Sequence, residues 1–172
     1  ELYSHDAFEE NWHWFVLHET VRLEYLPLIC KNEDFIEEYY LIGERIADYY
    51  PQRLDFAETY CKIPLVANPL DRQALARLAA LYCDGYHDYA KAIDCYEQIL
   101  AIDEKDYDAL KEKANIHLNC TQETEKALEI YQQALQYYPN DYYLEVWYAD
   151  ALMLLPDSPT YAPAKKILEA II

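Results

Sequence analysis

The segments AIDCYEQILAIDEKD (residues 92–106) and ALEIYQQALQYYPND (residues 127–141) carry a small, an aromatic and an apolar residue at the same offsets. They lie thirty-five positions apart. The shared pattern is Ala92-x3-Tyr96-x2-Ile99 in the first and Ala127-x3-Tyr131-x2-Ala134 in the second. The second ends at Pro139, where the first has Glu104. A third copy, Ala57-x3-Cys61-x2-Pro64 with Pro69 as its stop, lies thirty-five residues earlier. A fourth, Ala164-x3-Leu168-x2-Ile171, closes the chain after a step of thirty-seven. Residues at i, i+4 and i+7 share one stripe of a helix, and a small residue there lets a neighbouring helix approach closely. A segment that buries one stripe makes no core alone, so the copies are expected to stack on their neighbours.

A second helical pattern precedes each copy. It reads Tyr39-x2-Ile42-Gly43-x2-Ile46, then Leu75-x2-Leu78-Ala79-x2-Tyr82. The third version, Leu110-x3-Ala114-x2-His117, places Lys113 at a normally apolar position, and the fourth, Trp147-x3-Ala151-x2-Leu154, has the polar Asp150. Polar stretches such as CDGYHD and NCTQE separate the two helices of each pair. Pro64 stands inside an expected helix, where its missing donor either kinks the helix or is tolerated near its end.

A helix–turn–helix unit of about 34 residues with these positions resembles the tetratricopeptide repeat (TPR) family. The resemblance covers residues 34–172, with units near 34–71, 72–106, 107–141 and 142–172. It implies an all-α, right-handed helical-hairpin solenoid of about four units. Extra residues in the turns within each unit account for a step slightly above the family period. Residues 1–33 read as an N-terminal helical segment or degenerate capping repeat. Phe8, Trp12, Phe15 and Glu19 lie along one stripe there, and Val21-x3-Tyr25-x2-Leu28 faintly echoes the repeat.

Composition points the same way. The chain is 53% hydrophobic over 172 residues yet contains only 2 glycines, which disfavours hairpin-rich folds and phosphate-cradling loops. The formal charge of −18 makes nucleic acid and anionic membrane surfaces poor partners. No uninterrupted apolar run reaches the length of a membrane span. The five cysteines, Cys30, Cys61, Cys83, Cys95 and Cys120, form no CxxC pair and are odd in number. A reducing, cytoplasmic compartment is therefore expected, although a signal peptide already removed would leave the same sequence.

Catalytic motifs are missing from the sequence: it holds no P-loop, GxSxG, HExxH or paired CxxC. His13 and His18 are spaced five apart, which puts them on different helical faces, while His5, His87 and His117 are isolated. Neither an enzyme, a metal site nor a cofactor is expected. Of the 19 tyrosines, Tyr39, Tyr82, Tyr96 and Tyr131 fall on pattern positions and are expected to pack between helices. Tyr137–Tyr138 and Tyr142–Tyr143 flank a turn, where one of each pair should be exposed.

In the family, the first helices of successive units line a concave groove that holds a peptide or a partner helix. By resemblance, the groove positions here are Tyr40 and Glu44, Ala76 and Ala80, Lys111 and Asn115, and Tyr148 and Leu152. Lys111 and Asn115 have residue types suited to gripping a terminal carboxylate, but the other pairs supply no matching cation or amide. An apolar, helical or extended segment is the better match. The expected function is a non-catalytic protein-interaction scaffold. The alternatives are an accessory or regulatory module of a larger protein, which a start without methionine would fit, and self-association through the C-terminal repeat, where Ile167, Leu168 and Ile171 form an apolar face.

Overall fold

The computed structural model describes residue 52 and residues 54–155, without the side chains of Phe56 and Ala67. The expected N-terminal cap, the groove positions Tyr40 and Glu44, and the fourth motif copy at Ala164, Leu168 and Ile171 lie outside the described residues. Among the described residues the chain is helical, without strands. It divides into two compact units, Glu1–Leu81 and Tyr82–Ile172.

In the first unit, α1 (Leu54–Ala67) packs against α2 (Arg72–Ala80). Helix α1 runs continuously through Pro64, which sits in its last turns, is fully buried, and accepts a hydrogen bond from Asn68 N at 2.9 Å. The proline thus stands near a helix end, where its missing donor is tolerated. The Asn68 side chain then accepts from Leu70 N at 3.2 Å, closing an Asx turn that stops the helix.

The second unit contains α3 (Tyr89–Ile102), α4 (Tyr107–Asn115), α5 (Thr124–Tyr137) and α6 (Tyr142–Met153). Successive helices pack on one another: α3 on α4, α4 on α5, α5 on α6. A π turn, Leu81–Gly85, leads toward α3, and another, Ile116–Cys120, joins α4 to α5. Each π turn exits in the same way. Asp88 N donates to Tyr82 O and Glu123 N to His117 O, both at 2.8 Å. The left-handed region is then occupied by His87 (φ 54°) and Gln122 (φ 59°). A π loop holds one more residue than an α loop. Each of the two described steps of thirty-five residues contains one such loop.

The recurrence is as strict in the backbone as in the side chains. Helices α1, α3 and α5 start at residues 54, 89 and 124, and α2, α4 and α6 at residues 72, 107 and 142. An aspartate caps each of the latter: Asp71, Asp106 and Asp141 accept from the backbone N–H of Ala74, Ala109 and Leu144 at 2.8, 2.9 and 2.9 Å. A capping oxygen satisfies one of the four unpartnered donors of a helix start and stabilises it by about 1 kcal/mol.

The motif positions form the core. All nine residues of the three described copies are buried: Ala57, Cys61, Pro64; Ala92, Tyr96, Ile99; Ala127, Tyr131, Ala134. In the second unit Ala127, Tyr131 and Ala134 of α5 meet Leu110 and Ala114 of α4 and Leu144 and Ala151 of α6 in one cluster. Alanines on the facing helices let the backbones close around the Tyr131 ring.

Two sequence expectations need adjustment. Lys113 occupies its normally apolar place with its side chain only 18% exposed and paired with Glu97 Oε1 of α3 at 2.8 Å. The last described helix also follows a different register. Ala79, Ala114 and Ala149 are fully buried at steps of thirty-five, followed by buried Tyr82, His117 and Leu152. The expected pattern Trp147-x3-Ala151-x2-Leu154 is therefore displaced by two residues, and its Leu154 is 58% exposed. Glu145 at the leading apolar position hides the true register in the sequence.

Candidate interaction surface

Helix starts fixed by Asp106 and Asp141 set which residues of α4 and α6 face outward. On α6, Tyr142 and Tyr143 are both exposed, at 53% and 62%, and meet edge to face with ring centroids 5.5 Å apart. Tyr143 continues to Trp147, one helical turn on, at 6.0 Å. The Lys111 Nζ of α4 lies 5.8 Å from the Trp147 ring centre, a cation–π distance. The result is a run of three aromatic rings ending in a lysine, on a chain of net charge −18.

Lys111 also pairs with its neighbour Glu112, Nζ to Oε1 at 2.7 Å. Asn115, one turn later, is engaged at both ends of its amide. Its Oδ1 accepts from the Tyr131 hydroxyl at 2.7 Å, and its Nδ2 donates to Glu112 Oε2 at 3.4 Å. Burial, followed by the charges of Glu112 and Asp150, pushes the Tyr131 phenol up to about 12, so this hydroxyl stays a donor. Lys111 and Asn115 are thus held in place by this chain's own groups, with Glu112 lying against both. A carboxylate ligand there would face the Glu112 carboxylate.

The other expected groove positions are placed as follows. Ala76 is half-buried and Ala80 exposed on α2, in the first unit. Tyr148 is half-buried, and its hydroxyl accepts from Gln132 Nε2 of α5 at 2.6 Å. Leu152 is buried beside Ala149, against Leu128 and Tyr148, and is not offered to a partner. In the thirty-five-residue register the counterparts of Lys111 and Asn115 on α6 are Val146, half-buried, and Asp150, exposed. The aromatic run was half legible: the sequence marks Tyr142–Tyr143 as a turn-flanking pair with one ring outside, whereas both are outside.

A polar node sits at the π turn Ile116–Cys120. His117, buried, contacts Glu123 Oε2 through Nδ1 at 2.9 Å, and the Thr121 hydroxyl donates to the same oxygen at 3.0 Å. Lys126 closes on the other carboxylate oxygen. These bonds, that of Lys126 first, then those of His117 and Thr121, hold the Glu123 carboxyl down at about 2. Among the described residues, no group of three or more His, Cys, Asp or Glu side chains could hold a metal ion. No helix among them is long and apolar enough to cross a membrane.

No family model matches the chain, and no curated protein matches it.

Proposed function

We propose that the chain is a non-catalytic protein-interaction scaffold of the tetratricopeptide-repeat type, which binds a peptide or helix of a partner in a groove lined by the first helices of its units. The observation that carries this reading is the thirty-five-residue recurrence of capped helix pairs with all nine motif positions buried. Such units stack in series and expose long surfaces, and binding through these surfaces is what repeat architectures commonly do. The exposed rings of Tyr142 and Tyr143 and the half-buried ring of Trp147 supply the aromatic residue types enriched at interfaces. An apolar segment, extended or helical, suits them better than a terminal carboxylate, because Glu112 flanks both Lys111 and Asn115.

The test is affinity capture with the chain as bait, alongside the double variant Tyr143→Ala plus Lys111→Glu, with circular dichroism and thermal melting to show that folding is kept. A partner captured by the parent and lost by the folded variant supports the reading. Capture indifferent to the variant removes this surface from the proposal.

A further inference from the structure

Two lysines of the second unit show how this chain holds a cation. Lys91 Nζ lies 5.2 Å from the centre of the Tyr82 ring and 2.7 Å from Asp88 Oδ2. Lys111 Nζ lies 5.8 Å from the Trp147 ring centre and 2.7 Å from Glu112 Oε1. In both places an ammonium is shared between a ring, whose face is negative, and a carboxylate that pairs with it.

Rings and a carboxylate stand together again on α6, this time without a cation on the carboxylate. Tyr143, Trp147 and Asp150 are spaced i, i+4 and i+7 and share one stripe of the helix. Tyr143 and Asp150 are exposed, and Trp147 is half-buried. Helix α6 itself contains no lysine, arginine or histidine. Among the described residues, no cationic side chain pairs with Asp150 or lies over Tyr143. The stripe at the same station of α4 is Asp108, Glu112 and Asn115. Lys111 reaching across to Trp147 makes the two helices neighbours here. Taken with Lys111, the two stripes hold the carboxylates of Asp108, Glu112 and Asp150 against one ammonium, which Glu112 already matches. On a chain of net charge −18, such a face draws a cation from outside.

We propose that the outer stripe of α6 binds an otherwise apolar segment of a partner protein that carries an arginine, with apolar side chains on the Tyr143 and Trp147 rings and the guanidinium on Asp150. This rests on the scaffold reading and names the chemistry of its partner. Arginine suits the place better than lysine, because its planar guanidinium lies flat against a ring edge or face while its N–H fork pairs with a carboxylate. Tyr143 and Asp150 are about 10.5 Å apart along the helix axis. An extended segment spans that distance in roughly three residues, so the apolar anchor and the arginine lie close together in the partner's sequence. Asn115, at the station of Asp150 one unit earlier, offers no charge and is bonded to Tyr131 and Glu112.

The experiment pans random short peptides displayed on phage against the full chain, then measures the enriched sequences as labelled synthetic peptides by fluorescence polarisation. Enriched peptides should combine an arginine with a nearby apolar residue. Replacing that arginine by citrulline, uncharged and of similar shape, should weaken binding about fivefold. Asp150→Asn should weaken it about threefold and Tyr143→Ala about fivefold, each with a melting curve matching the parent. Asp94→Asn removes the same charge from the exposed face of α3 and should leave the affinity unchanged. Arginine peptides weakened equally by Asp94→Asn and Asp150→Asn follow net charge and overturn the proposal. Peptides without a basic residue, weakened by Tyr143→Ala but not by Asp150→Asn, overturn it while leaving the scaffold reading standing. A library that yields no binder overturns it as well, whereas the scaffold reading is decided by capture of a natural partner.

Discussion

The Tyr107 hydroxyl donates to Asp141 Oδ1 at 3.1 Å, across thirty-four residues, and the same oxygen caps α6 by accepting from Leu144 N at 2.9 Å. The first residue of one helix therefore holds the cap of the equivalent helix one unit later. The Tyr107 ring is steadied by Tyr138, edge to face at 5.2 Å, and the Tyr138 hydroxyl in turn donates to the Lys105 carbonyl. Burial and then the bond to Asp141 push the Tyr107 phenol up to about 12, which keeps it a donor at neutral pH.

This shared oxygen makes the two residues energetically coupled. Tyr107→Phe is expected to cost about 1 kcal/mol for the lost hydrogen bond. Asp141→Ala should cost about 1–2 kcal/mol, because it removes the cap as well. The double variant should cost less than the sum of the two. Urea denaturation of the four proteins measures the coupling, and strict additivity would show that the bond contributes nothing.

Tyr131 is the largest fully buried side chain of the cluster between α4, α5 and α6. Tyr131→Ala should destabilise by roughly 3–5 kcal/mol through the cavity it leaves. Tyr131→Phe keeps the ring and should cost about 1 kcal/mol, the price of leaving Asn115 Oδ1 without its donor. Equal losses in the two variants would mean that the hydroxyl, not the packing, is what matters.

Gln122 is exposed and holds φ 59°, a conformation that costs a side-chain-bearing residue roughly 1–2 kcal/mol. Gln122→Gly relieves that strain but frees the unfolded chain, so a net gain of about 0.5 kcal/mol is expected. Thermal melting of Gln122→Gly beside Gln122→Ala decides it: the alanine variant should show no gain.

The Glu123 carboxyl has its ordinary value of 4.5 in the unfolded chain and about 2 in the folded one. A depressed carboxyl stabilises fully above the unfolded value, and that contribution is lost as pH falls through the folded one. The stability difference between the parent and Glu123→Gln should therefore be constant above about pH 4.5 and shrink steadily toward pH 2. Melting temperatures of both proteins between pH 7 and pH 2 measure it. A difference that does not shrink over that range would show that Glu123 acts without its charge.

The core was legible because its carriers are uncharged and periodic. Ala92, Tyr96 and Ile99 stand out at helical spacing, and so do their counterparts one unit on. The caps carried an equally regular signal, aspartate at 71, 106 and 141, but capping is a backbone function and leaves no trace in a hydrophobic pattern. Lys113 and Glu145 obscured α4 and α6 for opposite reasons. Lys113 is a charged residue that stays largely covered while pairing with Glu97. Glu145 takes a position whose apolar duty passes to its neighbour Leu144, fully buried. The aromatic run from Tyr142 to Lys111 joins two helices, and no reading of one segment shows which rings meet.

The strict spacing of the caps also bears on how such a chain changes length over generations. Asp106–Tyr107 and Asp141–Tyr142 are the same dipeptide at the same structural station. Recombination between their codons would remove or duplicate one thirty-five-residue block in frame and restore an aspartate-capped helix at the join. The chain can therefore be shortened or extended as a text is edited by whole lines, with no new junction to be invented.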